Sequence, residues 1–235
     1  MKPVNKGKSV SGFASHGKAK PELLHRLGKF CSYCECPGEA QQLHVEHIYP
    51  QADTAHPNLS TKWRNFLVSC GTCNTYKAKR LGNGRQHMLL RRYLWPHLDN
   101  TFVAFRYHSN GLVEVPNSLP LDLKALALST REMLGLLESP AATIDYADTD
   151  IAYDGIKKRE YAWAIAQRAL DAYTENRTAN QLKSLLDNAI NTGHFSIWME
   201  VFREHNDVRR EFISAFKADP TCFDSDTNPI RKGRI

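Results

Sequence analysis

An α+β fold is predicted for this chain of 235 residues: a small cysteine-stapled unit with short strands, followed by a mainly α-helical C-terminal domain. Three observations predict it. Two Cys-x-x-Cys pairs, Cys31/Cys34 and Cys70/Cys73, bracket the string Leu43-His44-Val45-Glu46-His47-Ile48, the frame of a short, irregular, metal-stapled module. Thr101 to Val115 alternates apolar and polar residues about Asn110-Gly111, the pattern of a β-hairpin. From Ser129 the apolar spacing changes to three and four residues, the period of helices.

Residues 1–20 are rich in Gly, Ser and Lys and are expected to stay mobile until they meet a partner. Pro21 suits a first helical position, and Leu23, Leu24 and Leu27 carry a short helix to the stop at Gly28. Leu43 to Ile48 reads as a short strand and Asn74 to about Arg80 as the start of a helix, and the hairpin closes a first domain at residues 21–118. A helical domain is expected over 119–218. Ser129-x-x-Glu132 and Thr178-x-x-Gln181 have the capping-box form, in which a hydroxyl and a later side chain satisfy free helix amides. Ile156, Trp163, Ala166, Leu170 and Tyr173 share one helical face, as do Leu182, Leu185, Leu186, Ala189 and Ile190 before Gly193. A last amphipathic stretch runs from Phe195 through Trp198, Phe202 and Val208 to Phe216, and these stripes read as core. Residues 219–235 read as an irregular tail, with Phe223, Ile230 and Ile235 set among charges in the manner of a segment that orders on binding.

The net charge of +6 hides an asymmetry: residues 1–100 carry 15 Lys and Arg against 6 Asp and Glu, and residues 101–235 carry 16 against 19. The first half therefore faces a polyanion. Arg64, Lys77, Lys79 and Arg80, with Arg85, Arg91 and Arg92, cluster about the cysteine frame and are the candidate phosphate contacts. The lysines of residues 1–20 are open to a blander reading, basic for solubility alone. No apolar run approaches the roughly 20 residues that span a bilayer, and the basic N-terminus lacks the apolar segment of a secretory signal. A cytoplasmic protein without a membrane partner is expected. In a reducing compartment the paired cysteines argue for metal rather than disulfides. Cys36 and Cys222 are left over, Cys36 either competing as a ligand or standing by as a bystander thiol.

Four thiolates at this spacing suit one structural Zn2+. Inside the frame stand the groups that water activation needs. An imidazole, with a pKa of about 6.5, can deprotonate water near neutral pH, and His47 is the candidate base. A carboxylate and an amide are hard oxygen ligands for Mg2+ or Mn2+, and Glu46 and Asn74 supply them. Successive strand residues point to opposite faces, so Glu46 and His47 converge on one phosphate only if the strand twists sharply or ends there. Pro50 is consistent with an end. The competing structural readings are His47 as a further zinc ligand or a core histidine, and Glu46 as a surface charge.

Cys31-x-x-Cys34, Val45-Glu46-His47-Ile48-x-Pro50, Trp63-x-Asn65-x-Leu67, Cys70-x-x-Cys73-Asn74 and the trailing Lys77 resemble, over about residues 28–82, the HNH endonuclease family, whose fold is a small ββα-metal unit. The resemblance implies that His47 is the general base, that Glu46 and Asn74 hold the catalytic divalent ion, and that Asn65 bonds backbone to fix the loop bearing His47. The family more often has Asp at the place of Glu46 and sometimes His at that of Asn74, so the carboxylate arm is longer here. The His44-x-Glu46-His47 form, the hairpin, the helical half and Cys222-Phe223-Asp224 are similar to the HNH subunits of the bacterial Septu anti-phage system, including retron-associated members. This implies a nuclease effector in bacterial phage defence, an ATPase partner of the PtuA kind and, through that complex, a retron reverse transcriptase with its RNA/DNA product. The charge split makes the helical half the expected docking element, since a net-negative helical domain has no evident reason to touch nucleic acid. His44 reads either as an additional active-site group or as a strand histidine packed on the cysteine knuckle. A zinc-knuckle module that binds nucleic acid without cutting it, or an adaptor subunit, is the alternative, but neither needs Glu46, His47 and Asn74 together. Water is the nucleophile in HNH chemistry, so DNA and RNA both stay open as substrates.

Overall fold

The computed structural model describes residues 1–10, 13–51, 56–80, 90–136 and 146–233; Arg85, Arg234 and Ile235 lie outside the described residues. Helix α1 (Lys20–Leu27) opens with Pro21 in its first turn, buries Leu23 and Leu27 one turn apart, and stops at Gly28, whose φ of 80° is costly for any residue with a Cβ. Strands β1 (Leu43–His47) and β2 (Phe66–Cys70) pair antiparallel, with Leu43 opposite Cys70 and His47 opposite Phe66. Helix α2 (Gly71–Arg80) follows β2 without a loop, starting three residues earlier than the sequence pattern indicates. The result is a ββα unit with His47 at the exit of its first strand.

The hairpin about Gly111 is present but short. Strands β3 (Arg106–Tyr107) and β4 (Val113–Glu114) pair as Arg106 with Glu114 and Tyr107 with Val113. The alternation upstream is spent in turns, because Val103 N–H donates to the Asn100 carbonyl and Ala104 N–H to that of Thr101.

In the C-terminal half α3 (Leu121–Met133) begins after Pro120 and runs straight through Ser129, so Ser129-x-x-Glu132 is not a capping box. Proline at the boundary sets the start instead: with no N–H of its own, it leaves no donor to satisfy there. Helix α4 (Tyr146–Glu175) buries Ile156, Ala166 and Tyr173 and half-buries Trp163 and Leu170. Thr178 caps α5 (Ala179–Thr192), its Oγ1 accepting from Gln181 N–H at 3.1 Å, and Gly193 ends it at φ 73°. The last amphipathic stretch is two helices, α6 (Phe195–Val201) and α7 (Asn206–Ala215), separated where His205 N–H turns back to the Phe202 carbonyl at 2.9 Å.

Two expectations are corrected at the ends of the chain. Met1, Lys2, Val4 and Lys6 are buried, not mobile. Lys2 Nζ donates to the carbonyls of Leu27 and Phe216 at 2.8 and 2.7 Å, at the C-terminal ends of α1 and α7, where a cation meets the negative end of a helix dipole. Burial pulls its pKa down to about 7. Lys6 Nζ donates to the carbonyls of Trp63, Arg64 and Phe66 at 3.1, 2.9 and 2.9 Å and so staples the segment that enters β2. Composition hid this, because these lysines answer backbone carbonyls rather than solvent. The tail is likewise seated: Asn100 Nδ2 donates to the Cys222 and Ile230 carbonyls, both at 2.7 Å, and Phe223 is buried against the rings of Phe102 and Phe195. Most of the buried apolar residues form one connected cluster from Met1 to Phe223, and the expected boundary at 118/119 falls between two of its members, Val115 and Leu123.

Candidate active site and zinc knuckle

The four cysteines meet at the base of the ββα unit. Cys31 and Cys34 come from the turn after α1, Cys70 ends β2, and Cys73 lies in the first turn of α2. All four sulfurs lie within 4.8 Å of one another, with Cys34 Sγ 3.8 Å from Cys70 Sγ. A tetrahedral zinc with Zn–S bonds of about 2.3 Å sets its sulfurs roughly 3.8 Å apart, so the donor set fits that ion. Cys73 N–H points at Cys70 Sγ from 3.5 Å, a backbone contact that favours the thiolate. Among the described residues no other set of three His, Cys, Asp or Glu groups converges this way. Cys36 is outside the convergent four but touches them, its thiol contacting that of Cys34 on one side while its Sγ lies 3.5 Å from His194 Nε2 on the other.

The knuckle is braced from the helical half, which sequence spacing could not reveal. Glu35 sits between Cys34 and Cys36 at φ 66°, buried, and Ser196 donates to its carboxylate from N–H and hydroxyl at 2.9 and 2.6 Å. His194 N–H donates to the Glu35 carbonyl at 3.0 Å. Buried Arg159 of α4 donates to the Gly111 carbonyl at 2.6 Å and lines, with Cys34, Cys70 and Cys73, a cavity of 410 Å³.

His47 is mostly buried at the end of β1. Its Nε2 is 2.9 Å from the Ser60 carbonyl oxygen, which can only accept, so Nε2 carries the proton and Nδ1 keeps a free lone pair. The ring edges Phe66 at 5.1 Å and His16 at 5.0 Å between centroids. Burial holds the imidazole below its ordinary pKa, partly offset by the Ser60 carbonyl and reinforced by His16 and Lys77, so the neutral base form prevails at neutral pH. His16 was not legible as a site residue: it stands in no motif, in a stretch that reads as a solvated arm. Asn65 holds the loop that leaves His47. Its Oδ1 accepts from Tyr49 N–H at 2.7 Å, and its Nδ2 donates to the carbonyls of Tyr49 and Leu59 at 3.0 and 3.1 Å.

Glu46 lies on the opposite face of β1 and is buried, which overturns the surface-charge reading. Its Oε1 accepts from Lys77 Nζ at 2.5 Å and from the Tyr33 hydroxyl at 3.3 Å. Burial raises the carboxyl pKa, and Lys77 and Tyr33 pull it back down. Lys77, expected on phosphate, is thus corrected to an interior partner of Glu46: a lysine on the buried side of α2 answers the nearest carboxylate. Asn74 is half-buried in the first turn of α2, and the carboxylate and amide together are the oxygen donors a hard divalent ion takes. His44 is exposed, its Nε2 beside Gly71. Of the remaining basic candidates, Arg64, Lys79, Arg91 and Arg92 are exposed. Arg80 is half-buried, lying 5.3 Å over the Tyr76 ring and donating to the Glu132 carbonyl.

Two antiparallel strands running into a helix, stapled by four cysteines and carrying Glu46-His47 at a strand end, define a ββα-metal nuclease unit. Residues 31–80 match the HNH endonuclease family, and the chain carries an HNH endonuclease domain there. The chain is 45% identical over 60 residues to Septu protein PtuB of Bacillus thuringiensis, a match spanning 25% of this chain and 23% of that protein. It is 29% identical over 140 residues, 56% of this chain, to a retron Vc95 protein of Vibrio cholerae serotype O1 biovar El Tor inferred to be an HNH endonuclease, of which 67% is covered. The chain thus spans about a quarter of the first relative and two thirds of the second. Among the described residues no helix is long and apolar enough to cross a membrane.

Proposed function

We propose that the chain hydrolyses phosphodiester bonds of nucleic acid as the nuclease subunit of a bacterial Septu- or retron-type anti-phage system. The observation that carries this reading is the state of His47, fixed by the Ser60 carbonyl with Nδ1 unprotonated, within an HNH domain. Nδ1 takes the proton of the attacking water. Asn65 keeps the base in place by holding both the backbone N–H and the carbonyl of Tyr49. Glu46 and Asn74 would hold Mg2+ or Mn2+, which when bound stabilises negative charge on the phosphoryl group and the leaving oxygen. The cysteines hold Zn2+ structurally, and Arg64, Lys79 and Arg80 supply contacts to the phosphate backbone. The names of the two relatives support the defence role, and by the same likeness the cytoplasmic complex includes a PtuA-like ATPase docked on the helical half and, in retron systems, a reverse transcriptase with its RNA/DNA product.

The test is incubation of supercoiled plasmid and of total RNA with the protein, alone and with the neighbouring ATPase, in Mg2+ or Mn2+ against EDTA. Metal-dependent cleavage lost in His47→Ala supports the reading. Binding without cleavage under every condition would replace it with the adaptor reading.

A further inference from the structure

Glu46 and Lys77 form an ion pair sealed from solvent, Nζ 2.5 Å from Oε1 with the two side chains 2% and 5% exposed. The same ammonium donates to the His47 carbonyl at 2.5 Å. Lys77 lies three residues after Asn74 on α2, and residues at that spacing share a helix face. The ammonium therefore occupies the side of Glu46 that faces α2, the helix whose first turn bears Asn74. A carboxylate desolvated to this degree requires a cation, and a lysine on a flexible four-carbon stem is one that can leave.

We propose that Lys77 is a tethered competitor of the divalent ion. It neutralises Glu46 when no ion is bound, and Mg2+ or Mn2+ binds only as the ammonium withdraws, so metal loading is an exchange of one cation for another. The inference rests on the reading of Glu46 as a metal ligand. It makes Lys77 a regulator of metal affinity and gives the last residue of the cysteine-asparagine motif a role separate from phosphate binding.

The experiment measures Mn2+ affinity of the full chain from the electron paramagnetic resonance of free Mn2+, for wild type, Lys77→Met and Glu46→Gln, each checked for zinc content and melting. The expected result is that Lys77→Met binds Mn2+ about tenfold tighter or more, since the ion no longer displaces the ammonium, whereas Glu46→Gln loses the site. Unchanged or weaker binding by a folded Lys77→Met, with Glu46→Gln defective, overturns the inference alone. Unchanged binding by Glu46→Gln overturns the assignment of Glu46 as ligand and the inference with it. A second measurement covers failure of Lys77→Met to fold: acetylation of wild-type lysines, read residue by residue. Lys77 labelling should rise on addition of Mn2+, and labelling that stays low at saturating Mn2+ overturns the exchange.

Discussion

Ser196 donates to both oxygens of Glu35, through its N–H at 2.9 Å and its hydroxyl at 2.6 Å, across 161 residues of chain. Glu35 stands inside the turn that carries Cys34 and Cys36, and its φ of 66° is one that residues with a Cβ adopt only when the surroundings hold them. The start of α6 therefore shapes the zinc knuckle. A half that reads as a docking platform is also a structural brace for the nuclease half.

Truncation after residue 120 should for that reason yield no folded nuclease unit, because it strips both Ser196 donors from a buried carboxylate and leaves it only the Met1 ammonium at 3.6 Å. Ser196→Ala, which removes one hydrogen bond to a charged group, should cost about 1.5–3 kcal/mol. Thermal denaturation with zinc analysis checks both. A truncated protein that melts cooperatively and holds zinc would show that the brace is dispensable, and only then could truncation map a partner's docking site.

Removal of zinc should destabilise the whole chain in one transition. Structural zinc contributes folding free energy directly, and the knuckle shares Glu35, Cys36 and Arg159 contacts with the helices. Cys31→Ser, Cys73→Ser or a strong chelator should lower the melting temperature and release the helical circular dichroism together. Retention of the helical signal after the knuckle is lost would mean that the halves fold independently.

How much of this was legible depended on distance along the chain. The cysteine frame, β1, the α1 stop at Gly28 and the Thr178 cap are local patterns, each needing only a few adjacent residues. The Asn65 bonds to Tyr49 and Leu59 follow from a short loop and matched the motif in which Asn65 stands. Lys2 on the carbonyls of Leu27 and Phe216, His16 beside His47, and Ser196 on Glu35 were not legible, because each is created by the meeting of segments far apart. Lys77 misled for a different reason: its charge suits phosphate, and only the facing of α2 against β1 puts Glu46 closer.

His194 should give the protein an acid limit. It is buried, and desolvation by that burial lowers its pKa to about 4, with Glu35 raising it and Arg159 and Lys158 lowering it further. The unfolded chain takes up a proton near pH 6.5 that the folded chain refuses until about pH 4, so stability is full above the first value and falls as pH drops through the window. The loss is on the order of 3 kcal/mol. His194→Asn, which tolerates the φ of 59°, should flatten that limb in denaturant unfolding at pH 4.5 to 7. An acid limb of unchanged slope in the variant would assign it to other groups.

His47→Ala should lower the rate of cleavage by about 10²–10⁴-fold while leaving zinc content and nucleic-acid binding close to wild type, because the base contributes to the reaction rather than to the knuckle. The pH profile separates a base from a merely structural histidine. The active form is the neutral imidazole, and burial holds its pKa below the ordinary value, so cleavage should rise with pH along a limb centred below about pH 6.5. Asn65→Ala, which frees the Tyr49 N–H and carbonyl and the Leu59 carbonyl, should reduce the rate without moving that limb, since it loosens the loop and leaves the Ser60 carbonyl on Nε2. Steady-state cleavage between pH 5 and 9 with the three proteins decides it. A His47→Ala protein that cuts at the wild-type rate, or a wild-type limb centred well above pH 6.5, would remove His47 from the role of base.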